Sequence, residues 1–395
     1  MNKQKCLLIL PRSIFPLVCG YSIKNKNVIE LLHKEYDLIL VVIKECAFTE
    51  EEINYYKNHS SNMILWVRTR LISINGVLRA LFTTQPLQVG YYYDKNLQCK
   101  IDSFIEKCDI AIAVLGRTVE YLRNIHSDTI MVFDAVDSIA LNYEQSKYKT
   151  ASIFWKIMYY LEGKRLLNHE KYWVKKSNLS YFVNYDDYQY WKSYGQAHWL
   201  PHGVNPDLLS YVKKDTRYEL SVAFLGKMDY QPNVDAMIWY IKNVHIIVGK
   251  DIPLIIVGAN PTKELYMLSR KYTNITITGF VKDPYIILNS CLALIAPMQT
   301  GGGIQNKVLE GMALGKINII TDLAAKPIID SKAGHDYLLA NTPKEYVDIL
   351  YRVKNNPGDY INIGNNARKQ ILNKFNWNEY NRIYLNEILK CQKGL

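Results

Sequence analysis

At 395 residues the chain is longer than one ordinary hydrophobic core accommodates, which implies two domains. With 49% hydrophobic and 22% charged residues the composition is globular, and no apolar run reaches the roughly 18 residues a helix needs to span a bilayer. The net charge of +11 admits anionic lipid and phosphorylated substrates as partners, but the lysines are dispersed and no nucleic-acid motif stands out, so no nucleic-acid partner is expected.

The first segment, Lys3 to Arg12, superficially suggests a signal peptide. Its apolar run, Cys6–Leu10, is short and is stopped by Pro11-Arg12, so it reads as a first buried strand. Seven scattered cysteines without a Cys-x-x-Cys pair favour a reducing compartment and argue against zinc. A cytoplasmic location is expected. A loop from Pro11 to Tyr21, containing Cys19 and Gly20, leads to a polar helical segment, Asn25–Glu35. Leu38–Ile43 is a near-continuous apolar strand, the type buried on both faces. Met63–Val67, Asp109–Val114 and Thr129–Phe133 read likewise, and strands alternating with helices imply a parallel α/β sheet. Ligands of such sheets sit at the carboxyl ends of the strands. The loop at Gly20 and the segment after Phe133 are therefore expected to line a cleft. Asp134 and Asp137, three residues apart, either face one side of a helix start or cap it.

From Ser146 to Lys176 the chain is basic and aromatic, with Lys147, Lys149, Trp155 and Lys156 among its residues. Two readings stand: a face for anionic lipid, with aromatics among the headgroups, or a long amphipathic helix with its aromatics packed inward. Arg165 and Glu170 are candidates to point into the cleft. Strands near Tyr181–Val183 and His198–Leu200 close this half, and Pro201–Pro206 is rich in breakers and reads as a linker.

A second α/β series starts at Leu220–Gly226. A helix with Val234, Met237, Ile238, Ile241 and Val244 on its inner face comes next, then a strand Pro253–Val257 with Gly258 opening its turn, and a strand Ile275–Ile277. The apolar run Cys291–Pro297 leads into Gly301-Gly302-Gly303, and from Ile304 the apolar residues Ile304, Val308 and Met312 recur at helical spacing. Strands at Ile317–Thr321 and Tyr337–Leu339 and two polar helices complete six strands, a second Rossmann-like domain.

Strand, glycine loop and helix together make an anion site. Glycines let a ligand approach the main chain, and the first N–H groups of the helix have no internal partner and carry positive potential. Lys307 in the first turn opposes the helix dipole unless an anion lies nearby. Glu310 lies on the same face, placed to accept hydrogen bonds from hydroxyls. A phosphate with a polyol attached fits; so does a plain surface turn with a solvated Lys–Glu pair. The stretch is neither a Walker loop nor Gly-x-Gly-x-x-Gly.

The C-terminal half resembles the donor-binding domain of GT-B glycosyltransferases of family 4, the retaining "group 1" type. The resemblance rests on Phe224-Leu225-Gly226 through Pro232-Asn233, Ile256–Pro261, Thr278-Gly279-Phe280-Val281 and Gly303–Gly315, in order. Fainter echoes are Phe133–Asp137, the Glu162, Arg165 and Glu170 set, and His202-Gly203-Val204-Asn205. The resemblance implies two Rossmann-like domains facing each other across a cleft, with a C-terminal helix crossing back to the first. The expected domains are 1–205, acceptor-binding, with the returning helix 375–395, and 206–374, donor-binding.

It also implies roles. Glu310 matches the second glutamate of the Glu-x7-Glu motif, which holds the donor ribose. Gly302 stands where the first glutamate falls, as in a glycine-rich variant of this loop. Gly226 lets the backbone approach the diphosphate, the N–H groups around Gly303 and Ile304 bind it, and Lys307 supplies positive charge, with Lys227 assisting. Gly258, Gln305 and Asn306 belong to the same donor site. Glu310, Lys307 and Asp134 are the catalytic candidates; Gly20, Asp137, Arg165 and Glu170 are acceptor-side candidates. No metal or other cofactor is expected, and the nucleotide sugar is a co-substrate. The implied activity is retaining sugar transfer from a nucleotide-diphosphate sugar to a glycan or lipid-linked acceptor of surface polysaccharide, with peripheral attachment to the anionic inner membrane face. The alternatives are an inverting transferase, a nucleotide-sugar epimerase, or a non-catalytic nucleotide-sugar-binding subunit.

Overall fold

The computed structural model describes residues 3–17, 20–105, 108–149, 153–301 and 303–394, with no side chain described at 105, 145–149, 153–157 and 394. Cys19 and Gly302 fall outside it, as do the side chains of Lys147, Lys149, Trp155 and Lys156. The chain divides into two compact units, Met1–Pro201 with Tyr380–Leu395, and His202–Glu379.

The first unit is built on strands β1 (Lys5–Leu10), β2 (Asp37–Lys44), β3 (Asn62–Val67), β4 (Ile110–Val114), β5 (Ile130–Val136), β6 (Leu179–Phe182) and β7 (Ala197–Trp199). They form one sheet in the order β3-β2-β1-β4-β5-β6-β7, with every pair parallel. Helices cover both faces, so the central strands bury both sides, which is why their sequences are almost wholly apolar. Leu7 pairs with Ile39 on one side and Ala111 on the other. The sheet order reverses between β1 and β4, a topological switch point.

Two expectations are corrected here. Gly20 does not sit in a loop but opens the helix Gly20–Glu35. Asp134 is not at a helix start: β5 runs on through it to Val136, so Asp134 and Asp137 do not share a helix face. The reason is an ion pair. Lys24, on the Gly20–Glu35 helix, donates to the Asp134 carboxylate, and both side chains are buried. A carboxylate that would otherwise have ended the strand is thereby held inside it.

The second unit carries β8 (Val222–Leu225), β9 (Leu254–Val257), β10 (Ile275–Gly279), β11 (Ala293–Ala296), β12 (Asn318–Ile320) and β13 (Leu338–Leu339). The order is β10-β9-β8-β11-β12-β13, again parallel, with its switch point between β8 and β11. The helix after the glycine loop spans Asn306–Ala313, starting two residues later than the apolar period suggests.

The last helix, Trp377–Gly394, starts in the second unit and ends in the first. There Tyr380, Tyr384 and Ile388 are buried. The Tyr181 hydroxyl donates to the Tyr384 carbonyl at 2.8 Å and the two rings stack at 4.7 Å. Asn27 donates to Asn381 at 2.7 Å. Among the described residues no helix is long and apolar enough to cross a membrane.

Candidate functional site

The carboxyl ends of β8 and β11 are neighbours, so the turns leaving these two strands meet at the switch point. After β8, the Gly226 N–H donates to the Val257 carbonyl at 3.0 Å. A Cβ on Gly258, whose φ is +153°, would lie 1.8 Å from the Gly226 carbonyl oxygen. Only glycine lets these two turns press together. After β11, Gly301 and Gly303 take φ of +105° and +74°. A Cβ at Gly301 would stand 3.5 Å from Pro232, so the glycine loop lies against the segment after Gly226.

The Asn306–Ala313 helix begins here without a side-chain cap from Gln305, leaving its first N–H groups without an intrahelical acceptor. Its far end is closed by Arg368, which donates to the Ala313 carbonyl at 3.1 Å and to that of Leu314 at 2.6 Å. A cation at the C-terminus and an uncapped N-terminus leave the positive end of the dipole facing outward.

Lys307 is half-buried and reaches across the switch point. Its Nζ donates to Asn233 Oδ1 at 2.8 Å and Gln305 Oε1 at 3.2 Å, and lies 4.8 Å from the centre of the Phe224 ring. These partners are neutral. Burial therefore lowers Lys307 to about 8, against the upward pull of Glu310. Glu310 is also half-buried, and its carboxylate has no hydrogen-bond partner among the described residues. Burial raises it to about 7, against the downward pull of Lys307. Tyr285 is near enough to feel the Glu310 charge, which adds to burial in raising its hydroxyl. A helix terminus, a lysine with only neutral partners and an unpaired carboxylate make a site for an anion joined to hydroxyl groups.

Residues 219–356 match the family model of the group 1 glycosyl transferases. The second unit carries a group 1 glycosyl transferase domain. Solved structures similar to the whole chain include Anabaena HepE in complex with UDP, at 12% identity over 98% of this chain and 100% of that one, with a TM-score of 0.68. Sucrose-phosphate synthase from Thermosynechococcus elongatus is similar at 13% identity over 98% of each chain, with a TM-score of 0.65. These likenesses show the fold, which is GT-B. In sequence the chain is similar to an "uncharacterized 44.6 kDa protein in cps region" of Klebsiella pneumoniae, 21% identical over 326 residues, covering 78% of this chain and 79% of that protein. The chain is a glycosyltransferase of GT-B type.

Within the glycosyl transferase domain the structure brings together Gly226, Gly258, Gly301, Gly303, Gln305 and Lys307. Lys227 is exposed and turns instead to Asp229 at 3.2 Å, a carboxylate that also accepts from Asn260 at 3.0 Å. One residue of the site was not legible as such. Asn233 donates to the Lys227 carbonyl at 2.9 Å and accepts from Lys307, tying the two loops together. In the sequence Pro232-Asn233 reads as the start of a helix and as the end of the first run that resembles the family, with nothing to indicate a contact with Lys307. That helix spans Gln231–Tyr240 and buries Asn233 in its first turn.

The candidates in the first unit are not all gathered. Asp134 is committed to Lys24. Asp137 lies just past β5 and is half-buried, with no hydrogen-bond partner for its carboxylate among the described residues; burial raises it, opposed by Lys24. Glu170 is buried and closes the start of the Ile139–Lys149 helix, accepting from the Ser138 hydroxyl at 2.5 Å and the N–H groups of Ile139 at 2.9 Å and Ala140 at 3.2 Å. Burial raises it to about 7. Arg165 serves another element, donating to the carbonyls of Ala80 at 3.3 Å and Leu81 at 3.5 Å.

Proposed function

We propose that the protein transfers a sugar, with retention of anomeric configuration, from a nucleoside-diphosphate sugar to a hydroxyl of a glycan or lipid-linked acceptor. The reading places it in surface-polysaccharide assembly, at the inner face of the membrane. The observation that carries the donor half is the unpaired Glu310 carboxylate one turn from Lys307. An ionised carboxylate so placed accepts from ribose hydroxyls, while Lys307 and the N–H groups from Gly303 to Asn306 hold the diphosphate. The HepE structures with UDP and with UDP-glucose make those two the first ligands to test. The Klebsiella relative named for a cps region supports the polysaccharide role.

In the reaction the bond from the anomeric carbon to the β-phosphate oxygen breaks as a bond to the acceptor oxygen forms on the same face. The acceptor proton passes to the departing phosphate, so no side-chain base is required. Charge developing on the leaving diphosphate falls on Lys307 and on N–H dipoles already oriented towards it. No metal ion is part of this proposal. On the acceptor side Asp137 is the carboxylate of choice, since Asp134 and Glu170 are already bonded within the fold.

Thermal shift tests the donor site. UDP at about a hundred times its Kd adds about 2.7 kcal/mol to wild type. Glu310→Ala and Lys307→Ala each lose most of that shift, measured from the unliganded midpoint of the same variant. Retention of the full UDP shift in both variants would place the nucleotide elsewhere. The product anomer, read by proton NMR coupling, decides between retention and inversion.

A further inference from the structure

We propose that the helix Arg70–Leu81 and the groove beside it form a docking surface for a bilayer of anionic phospholipid. This rests on the peripheral-membrane reading above and names the surface that performs it. An amphipathic helix in a globular unit normally turns its large apolar residues inward. This one does the reverse. Its inner seam is made of small residues: Ser73 and Ala80 are buried, and a Cβ on Gly76 would stand 2.0 Å from the Gly90 carbonyl of the neighbouring helix Leu87–Tyr92. The two backbones cross in contact. Leu71, Ile74, Leu78 and Leu81 are left facing outward, and Phe82 sits beyond them as the C-cap. Leu71 is 74% exposed and Phe82 is 89% exposed. At 3.6 residues per turn these five positions fall within roughly 100° of arc. Scattered exposed leucines need no explanation, but a contiguous stripe does.

Charge identifies what covers the stripe. By the same helical angles Arg70 and Arg79 flank it on either side, and both are exposed. Residues 67–93 contain no aspartate or glutamate. The chain leaving the helix, Thr83–Pro86, forms one wall of a groove of about 870 Å³ whose other walls carry Arg123, Lys164, Tyr172 and Lys176. The one acid there, Glu120, is already bonded to Arg123 and His169. Lys164 has no hydrogen-bond or ion-pair partner among the described residues. Arg165 bonds the end of the stripe-bearing helix to the groove through the Ala80 and Leu81 carbonyls. Exposed Tyr160, Leu161 and Tyr172 continue the apolar and aromatic surface on the Ile153–Lys176 helix. An apolar stripe edged by arginines, next to a basic groove lined in part by Tyr172, matches an acyl boundary below and lipid phosphates above. A protein groove for the same stripe would supply no reason for the cationic border.

Flotation of the full chain with vesicles tests this. One set is phosphatidylcholine alone, the other equal parts phosphatidylcholine and phosphatidylglycerol. Wild type is expected to float with the anionic set and not the neutral one. The double variant Leu71→Ser/Phe82→Ser, and separately Lys164→Glu, should each lower partition by about tenfold or more. Their thermal midpoints and UDP shifts should match wild type, since all three side chains are surface groups outside the donor site. If the variants float like wild type, this surface is wrong and the membrane reading stands. If wild type floats with neither set, both fall, and the UDP shift still tests the donor site independently. If sedimentation shows a dimer that the double variant dissolves, a second copy occupies the stripe and the proposal is overturned.

Discussion

The same half-buried setting lowers Lys307 to about 8 and raises Glu310 to about 7, and this gives the proposed donor site a pH signature. Glu310 must lose its proton to accept from ribose, so affinity for a nucleoside diphosphate should rise as pH climbs through about 7. Lys307 must keep its proton to hold phosphate, so affinity should fall again through about 8. The profile of affinity is therefore a narrow bell, and Glu310→Gln should remove its acid limb. Folding stability carries the opposite mark of the same groups. A carboxyl raised from 4.5 to about 7 costs stability progressively as pH rises across that interval, because the unfolded chain ionises first. A lysine lowered from 10.5 to about 8 restores stability as pH rises from about 8. Calorimetric titration of UDP across pH checks the bell, and a flat profile with wild type would refute these assignments. The charged pair was legible because both residues lie within one turn of a single helix; Asn233 was not, since its contact with Lys307 spans 74 residues.

The elements show the same division between short and long range. Leu38–Ile43 reads as a buried parallel strand because an unbroken apolar run leaves no polar face, and it lies within β2. The sequence suggests an end to β5 at Phe133, because Asp134 looks like the start of a turn, yet the strand continues to Val136. The residue that keeps Asp134 in place, Lys24, lies 110 positions earlier on a different element. Lys24→Ala should leave a buried carboxylate without its cation and destabilise the fold by about 3–5 kcal/mol. Urea denaturation measures this, and adding Asp134→Ala should recover part of the loss. A loss under about 1 kcal/mol would mean that water or another group compensates the charge. In the Arg70–Leu81 helix, too, a distant contact decides what periodicity does not. Periodicity alone would assign Leu71, Ile74 and Leu78 to the core, and only the contact of Gly76 with Gly90 shows which face is turned in.

For the whole molecule, the parallel sheet of each unit and the placing of the glycine loop at a strand's carboxyl end were legible from the alternation of strands and helices. The division into units was expected at 205 and 375, and the compact units change over after Pro201 and at Tyr380. The difference reflects packing that breaker residues do not report: Val204 bonds to the Phe375 carbonyl at 2.9 Å, and this short crossing belongs with the second unit. The first unit in turn buries Tyr380, Tyr384 and Ile388. A chain ended at Glu379 should lose about 5 kcal/mol of apolar burial from that unit. It should aggregate or melt well below wild type in a light-scattering ramp, and an unchanged midpoint would show the helix to be dispensable. The same arrangement sets an order on biosynthesis. A ribosome must complete the entire second unit before it makes the segment that finishes the first. Through that interval the nascent first domain exposes the apolar floor awaiting Tyr384, so its yield in a cell should depend on chaperone capacity more than that of the domain made after it.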